Sequence, residues 1–258
     1  MNRSTRPARL TLQELLFAQG FGTRRVCAGL IQQGHVALRD SGSWHTCDDP
    51  WFEVSPDDGW PFQVQGTDWT YHPKAYLLLH KPAGTECSQR PSTWPSIYSL
   101  LPMPLRQRPN KAAVQGVQAV GRLDQDTTGL LILTDDGAMI HRMTSPRHHV
   151  PKVYEVHTAE PMADSVATEL LHGVVLHDDP RPVRAAACEL IAPQHLQLTL
   201  TEGKYHQVKR MLAATGHEVV QLHRSRIGQL SLPADLAPGH WRWLSPEELA
   251  AAQTPWEP

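Results

Sequence analysis

The residues from Gly121 to Gly137, GRLDQDTTGLLILTDDG, set an arginine, two carboxylates and two hydroxyls in a polar loop flanked by apolar runs. Holding such a loop against a core takes backbone and desolvation energy, so its place in mid-domain points to binding or chemistry. The spacing admits three readings. Asp124, Asp126 and Thr128 match an Asp-x-Asp-x-Thr phosphoryl-transfer pattern, in which the first Asp is the nucleophile and both carboxylates hold magnesium. That pattern needs a buried strand running directly into the first Asp, whereas Gly121 and Arg122 interrupt it here and the guanidinium would compete with the ion. A carboxylate used without metal needs only a basic neighbour to stay ionised, and it is then a nucleophile toward an electrophilic sugar carbon. In the third reading both aspartates merely cap a turn between two strands. Asp124 is the favoured reactive group, although the residues alone leave the turn reading open.

Other chemistries have less behind them. There are fifteen histidines, but His148 and His149 are adjacent, and no His-x-x-x-His or Cys-x-x-Cys spacing lies near an acidic ligand, so surface or packing histidines are expected rather than a metal site. A nucleophilic serine or cysteine elbow is absent. Cys27, Cys47, Cys87 and Cys188 are scattered, which argues against a disulfide framework and for a reducing compartment. With 24 basic and 26 acidic residues the net charge is −2, so a nucleic-acid partner would be gripped by locally grouped cations rather than by bulk charge. No apolar run approaches the roughly 20 residues of a membrane helix, and Met1 to Arg6 lacks the apolar segment of a signal peptide. A soluble, cytoplasmic, monomeric protein is expected.

The elements that must position Asp124 follow from periodicity and punctuation. A length of 258 residues fits a small module ahead of an enzyme-sized domain. After a basic arm (Arg3, Arg6, Arg9), Thr11 and Glu14 form a capping box for a helix with Leu12, Leu15 and Leu16 inward. Thr23 caps a second helix with Val26, Cys27, Leu30 and Ile31 on one face, and a strand starts at His35. Arg24 and Arg25 occupy that helix's first turn, where the dipole disfavours cations, so a bound phosphate or simple solvation must account for them. From Asp40 to Asp68 the composition of Asp, Gly, Ser and Pro reads as the tail of the module and a linker. Its tryptophans (Trp44, Trp51, Trp60), with Trp69 just beyond, are expected to pack under a loop.

The second domain opens with the strand Tyr76 to His80 and the turn Lys81 to Gly84. The proline-rich stretch Thr85 to Val117, with Arg106, Arg108 and Lys111, is read as a substrate-gripping loop. Asp135 or Asp136 caps a helix, Lys152 to Thr158 alternates as a strand, Met162 to Leu171 is helical, and residues 184–190 and 194–201 form a hairpin. A basic helix spans Tyr205 to Leu212, a strand spans Val219 to Leu222, and His223 to Arg226 is polar and basic. A last strand covers Trp241 to Leu244, and Ser245 opens a final helix. The class is α+β: a small N-terminal α/β module with its linker over 1–68, then a domain over 69–258 whose mixed, mostly antiparallel sheet is flanked by helices.

Two resemblances sharpen this. Arg9-Leu10, Gly22-Thr23-Arg24-Arg25 and Leu30 to Val36 resemble the S4-type RNA-binding domain, with departures at Thr11, Thr23 and Ala37 to Asp40. Gly121 to Leu131 resembles the Gly-Arg-Leu-Asp-x-x-Thr/Ser-x-Gly-Leu signature of pseudouridine synthases. Lys152-Val153-Tyr154 is similar to that family's Lys-x-Tyr element, and Glu202 to Met211 to its third motif. The second resemblance runs from about Tyr76 to Leu249. It implies the pseudouridine synthase fold, Asp124 as catalytic aspartate, Tyr154 as active-site tyrosine and Lys209 as the basic partner of Asp124, without metal or cofactor. Asp126 then falls back to loop structure or RNA contact. Ribosomal RNA is the implied partner, contacted by Arg24, Arg25, Arg122, Arg147, His206, Gln207, Arg210, Arg224 and Arg226. Ser145 to His149, Tyr205-His206-Gln207 and Ala234 to Gly239 resemble the RsuA-type branch, whose members modify one uridine of small-subunit RNA. Sister enzymes acting on large-subunit RNA tend to carry Asn-Arg at Tyr205-His206. A noncatalytic RNA-binding or assembly protein is the alternative from another class.

Overall fold

In the computed structural model of the protein, residues 9–109, 115–177 and 179–255 are described. The chain divides into two compact units, one comprising the residues up to Ala75 with Leu101–Gln118, the other Tyr76–Leu100 with Ala119–Pro258. The boundary therefore falls after Ala75 rather than after Asp68, and part of the proline-rich stretch belongs to the first unit.

In that unit β1 (Leu10–Thr11) leads into α1 (Leu12–Gln19). The capping box forms as the sequence spells it: the Thr11 hydroxyl accepts the Glu14 N–H at 3.3 Å, and the Glu14 carboxylate accepts the Thr11 N–H at 2.9 Å. In α2 (Arg24–Gln32), Cys27 and Ile31 are buried, but Val26 is exposed and does not share their face. The stretch read as a linker is instead folded. β2 (Val36–Asp40), β3 (Ser43–Thr46), β4 (Glu53–Val54), β5 (Trp60–Val64) and β6 (Thr67–Tyr71) follow; β4 pairs with β1, and the rest form an antiparallel sheet in the order β3-β2-β5-β6. The breakers are its hairpin turns: Ser41-Gly42 and Gln65-Gly66 all have positive φ, the backbone of tight two-residue connections. Trp60 and Trp69 pack on this core, Trp69 at 5.1 Å from Phe21, while Trp51 is 71 % exposed.

Arg108, expected to grip substrate, is buried after α3 (Met103–Gln107). It donates to Gln19 Oε1 at 2.9 Å and to the His72 carbonyl at 2.7 Å, so its role is to tie the unit together. Arg106 is exposed. Lys111, Arg3 and Arg6 lie outside the described residues.

The second unit is built on one large sheet. Its strands are β7 (Tyr76–Lys81), β8 (Gln118–Ala119), β9 (Thr128–Thr134), β10 (Lys152–Thr158), β13 (Ala187–Ala192), β14 (His195–Leu200), β15 (Val219–Ile227), β16 (Leu230–Ser231) and β17 (Trp241–Trp243). A small hairpin of β11 (Val174–Leu176) and β12 (Asp179–Val183) stands apart. The main path runs β13-β14-β10-β15-β9-β7-β17, and along it only β9 with β15 is parallel, which makes the sheet mixed and mostly antiparallel. The strand expected to stop at Leu222 continues to Ile227. The polarity of His223 to Arg226 does not end it, because successive side chains go to opposite faces and each face supplies partners.

Four helices flank the sheet: α4 (Gly137–Thr144), capped by the Asp136 carboxylate, α5 (Ser165–His172), α6 (Gln207–Ala214) and α7 (Pro246–Ala252). Leu123, Val156, Leu198, Met211 and Leu212 share one apolar cluster, while Leu78, Leu130, Ile132, Met139 and Ile227 share another. Gly129, at φ 112°, lets β9 approach the Arg224 backbone so closely that any Cβ would strike it.

Candidate active site

Asp124 sits on the loop entering β9, and a residue not singled out from the sequence holds that loop. Lys81, fully buried at the end of β7, points Nζ at the carbonyls of Pro82 (3.1 Å), Gln125 (3.3 Å) and Thr127 (2.9 Å). Burial pushes its pKa below the ordinary lysine value, while Cys87, Asp126 and Asp124 pull the other way. The available signal was a charged residue directly following an apolar strand run, a pattern that also fits an ordinary turn.

The Asp124 carboxylate faces two cationic or protonatable groups, His206 Nε2 at 3.2 Å and Lys209 Nζ at 3.8 Å. The expected pairing of Lys209 with Asp124 is therefore the looser one: Lys209 lies 2.7 Å from both oxygens of Asp126. Burial alone would raise the Asp126 pKa, but the hydrogen bond and charge of Lys209 outweigh it and hold that carboxyl below its ordinary range. Asp126 is thus the anchor of Lys209 rather than a bystander. Neither aspartate resembles half of a magnesium pair, since cations already answer both. Among the described residues no group of three or more His, Cys, Asp or Glu is arranged to hold a metal.

The basic helix starts at Gln207, two residues later than expected, because His206 has φ 47° and cannot be helical. The exposed Tyr205 ring stacks on His206 at 3.8 Å. Gln207, expected to touch RNA, is buried instead. Its amide donates to Glu202 Oε1 and accepts the Lys204 N–H, each at 2.8 Å, which closes the turn before α6.

Beneath Asp124 lies a cavity of about 460 Å³. One face of the sheet floors it with Lys152 and Tyr154 from β10, Leu200 from β14, and Leu222 and Arg224 from β15. Tyr154 is buried there, as an active-site ring requires. Arg224, expected as an RNA contact, is only 2 % exposed and donates Nε to the Leu130 carbonyl at 2.8 Å. Arg226, two residues on, lines a separate cavity with His223 and Ser225 on the opposite face, away from Asp124. Arg122 lies exposed at the cavity wall. Arg147 is exposed in a short turn outside that wall, and Arg210 spends one nitrogen on the Tyr205 carbonyl at 2.9 Å. In the other unit Arg24 and Arg25 are exposed in the first turn of α2, Arg24 lying 5.1 Å from the Phe17 ring centre.

Residues 75–214 match the RNA pseudouridylate synthase family model. The ribosomal small subunit pseudouridine synthase A of Escherichia coli K12 is 40 % identical over 239 residues, covering 91 % of this chain and 96 % of the relative. Its namesake from Pasteurella multocida is 44 % identical over 175 residues, covering 68 % and 72 %. A solved structure described as a pseudouridylate synthase aligns with a TM-score of 0.64 and 33 % identity, covering 94 % of this chain and 99 % of that one. On the family match and the near full-length relatives together, the chain belongs to the RNA pseudouridylate synthase family.

Proposed function

We propose that the protein isomerises a uridine of small-subunit ribosomal RNA to pseudouridine, with Asp124 as the reacting carboxylate. The observation that carries this is Asp124 itself, set beside His206 and Lys209 over a cavity floored by the Tyr154 ring. The chemistry needs the uridine extracted from its stack, its base detached, turned and rejoined through carbon. In this reading Asp124 meets the anomeric carbon of the ribose, Tyr154 packs on the base, and Lys209, anchored on Asp126, faces the Asp124 carboxylate. Arg122 and His206 contact the RNA at the cavity mouth.

The small-subunit target rests on the relatives' names and on Tyr205-His206 standing where large-subunit enzymes tend to carry Asn-Arg. The first unit, read as an S4-like module, presents Arg24 and Arg25 to phosphates, and the whole acts in the cytoplasm.

Tritium release from 5-tritiated uridine in ribosomal RNA tests the proposal. Asp124→Asn is expected to slow release by about 10⁴-fold. Normal turnover by that variant would end the assignment, and a wild-type protein that binds RNA without releasing tritium would favour the assembly reading. Mapping the product separates small-subunit from large-subunit RNA.

A further inference from the structure

Two cations lie under the Asp124 loop with no carboxylate to meet them. Arg224 satisfies Nε on the Leu130 carbonyl, but its Nη2 is buried and has no partner. Lys152 lines the same cavity and spends one donor on the Val150 carbonyl at 3.0 Å. Neither forms an ion pair among the described residues. Among the described residues, the other orphaned buried side-chain atom, Thr127 Oγ1, belongs to the same cavity wall. Burying an unanswered cation is costly, so the buried Arg224 with the half-buried Lys152 beside it favours an anionic ligand in this cavity.

The shape of the floor says which anion. Tyr154, Leu200 and Leu222 line the floor with an aromatic ring and two apolar side chains beside the two cations, a combination that suits an aromatic base bearing carbonyl oxygens on its edge. A phosphodiester is bulky and hydrated, and exposed Arg122 at the wall suits it better. Within the reaction proposed above, on which this inference rests, one planar anion is unavoidable. When the N1–C1′ bond breaks, its electron pair leaves on the uracil and spreads over N1, O2 and O4.

We propose that Lys152 and Arg224 are catalytic residues that hold the detached uracil as an anion, by hydrogen bonds to its carbonyl oxygens, until it rejoins the ribose. Asp124 opposes the positive charge left at C1′. The ring turns, the C5–C6 π pair forms the C5–C1′ bond, C5 loses its proton and N1 gains one, so nothing is consumed. Both cations donate hydrogen bonds and keep their protons throughout. Donors fixed in a dry site and aimed at developing charge are among the strongest catalytic devices.

The charge on Lys152 gives the proposal a pH signature. Burial, and then the adjacent Arg224, bring its pKa down to about 8. Beside it β15 contributes Arg224, β14 only Leu200 and its own strand Tyr154; the other titratable or charged groups of the cavity wall are Asp124, Arg122, His206, Tyr205, Glu202, Lys204, Glu86 and Cys87. Burial pushes the Cys87 thiol upward, away from this window. Activity should therefore fall as pH rises through about 8, where the ammonium is lost.

Single-turnover tritium release, with RNA affinity measured alongside, tests this on the full chain. Lys152→Met is expected to slow the step by about 100-fold while the Kd for RNA stays within about 3-fold. Lys152→Arg should retain the rate and move the alkaline fall up by about one pH unit or more. A Met variant within about 3-fold of wild type, or an Arg variant with an unmoved alkaline limb, overturns the proposal. Should Lys152→Met fail to fold, the Arg profile alone decides. A wild-type enzyme that releases no tritium removes the underlying function; an active wild type with indifferent variants removes only the role of the cationic floor.

Discussion

Strands β10 and β15 present two unlike faces. On one, Lys152, Tyr154 and Arg224 look into the cavity under Asp124, and Arg224 leaves a buried nitrogen unanswered. On the other, one residue further along each strand, Glu155 and Ser225 close a network with their neighbours on β14. Glu155 pairs with His195 at 2.9 Å and accepts from Gln197 at 3.1 Å and Ser225 at 3.0 Å. The same backbone, offset by one residue, thus carries a polar cluster that satisfies itself and another that waits for a ligand. A self-satisfied network rigidifies the sheet, whereas orphaned donors are tolerated where a reacting molecule completes them. Unmet hydrogen-bonding capacity, more than polarity as such, separates the cavity face from the opposite one.

Removing the close approach that sets both faces should have the largest effect. Gly129→Ala drives a Cβ into the Arg224 backbone from a left-handed conformation, pushing β9 away from β15. Backbone strain and overpacking together predict a loss of about 4 kcal/mol, read as a lower urea midpoint, with activity lost as well. An alanine variant of full stability would show that the two strands do not need this contact, and the offset of the two faces would then have another origin.

Next comes Lys81→Met, which leaves the frame of the sheet intact but frees the Asp124 loop. Three carbonyls lose a charged donor inside the protein, so about 3 kcal/mol of stability should go. Turnover should fall further than RNA affinity, because Asp124 loses its aim. Equal losses in both would mean that Lys81 supports the fold alone.

Asp126→Asn is a smaller change confined to the reactive side. Lys209 is held by both Asp126 oxygens and stands 3.8 Å from Asp124. Without that anchor it should close on Asp124 and occupy the reacting oxygen, lowering the single-turnover rate by about 10-fold with little change in melting temperature. A rate equal to wild type would return Asp126 to the role of loop residue that its sequence context suggests.

These contrasts also show what was legible in the chain. The Gly-Arg-Leu-Asp stretch, the capping boxes at Thr11 and Ser245 and the alternation of β10 are local signals, and local backbone physics realises them. Asp124 and Tyr154 meet at one cavity because the motifs carry long-range information that propensity does not. What was misread depends on partners remote in sequence. Arg108 looks like a loop cation until Gln19 and His72 receive it, and Gln207 looks like an RNA contact until Glu202 takes its amide. Arg224 and Arg226 are indistinguishable as residues of a basic string, and on a regular strand they would share a face; the β-bulge where β15 passes Val153 and Tyr154 of β10 sends one under Asp124 and the other to the far side. The segment read as a linker failed for the opposite reason: its Gly-rich breakers are hairpin turns, and turn residues alone do not say whether strands flank them.

The smallest expected effect is also the control for the whole comparison. Burial works to raise the Glu155 pKa, but hydrogen bonds from His195, Ser225 and Gln197 prevail and hold the carboxyl below its ordinary value. A carboxyl depressed in the folded state lends stability that is fully present above its unfolded pKa and is lost as pH falls through the folded value. Glu155→Gln should therefore cost about 1 kcal/mol at neutral pH, and the gap between the urea midpoints of wild type and variant should shrink as pH drops below the ordinary carboxylate range. Turnover at neutral pH should stay within about 2-fold, since this face holds no donor that the reaction needs. A Gln variant that kept its stability but lost turnover as Lys152→Met is expected to would place the self-satisfied network in the reaction, and satisfaction of hydrogen bonds would no longer distinguish the two sides of the sheet.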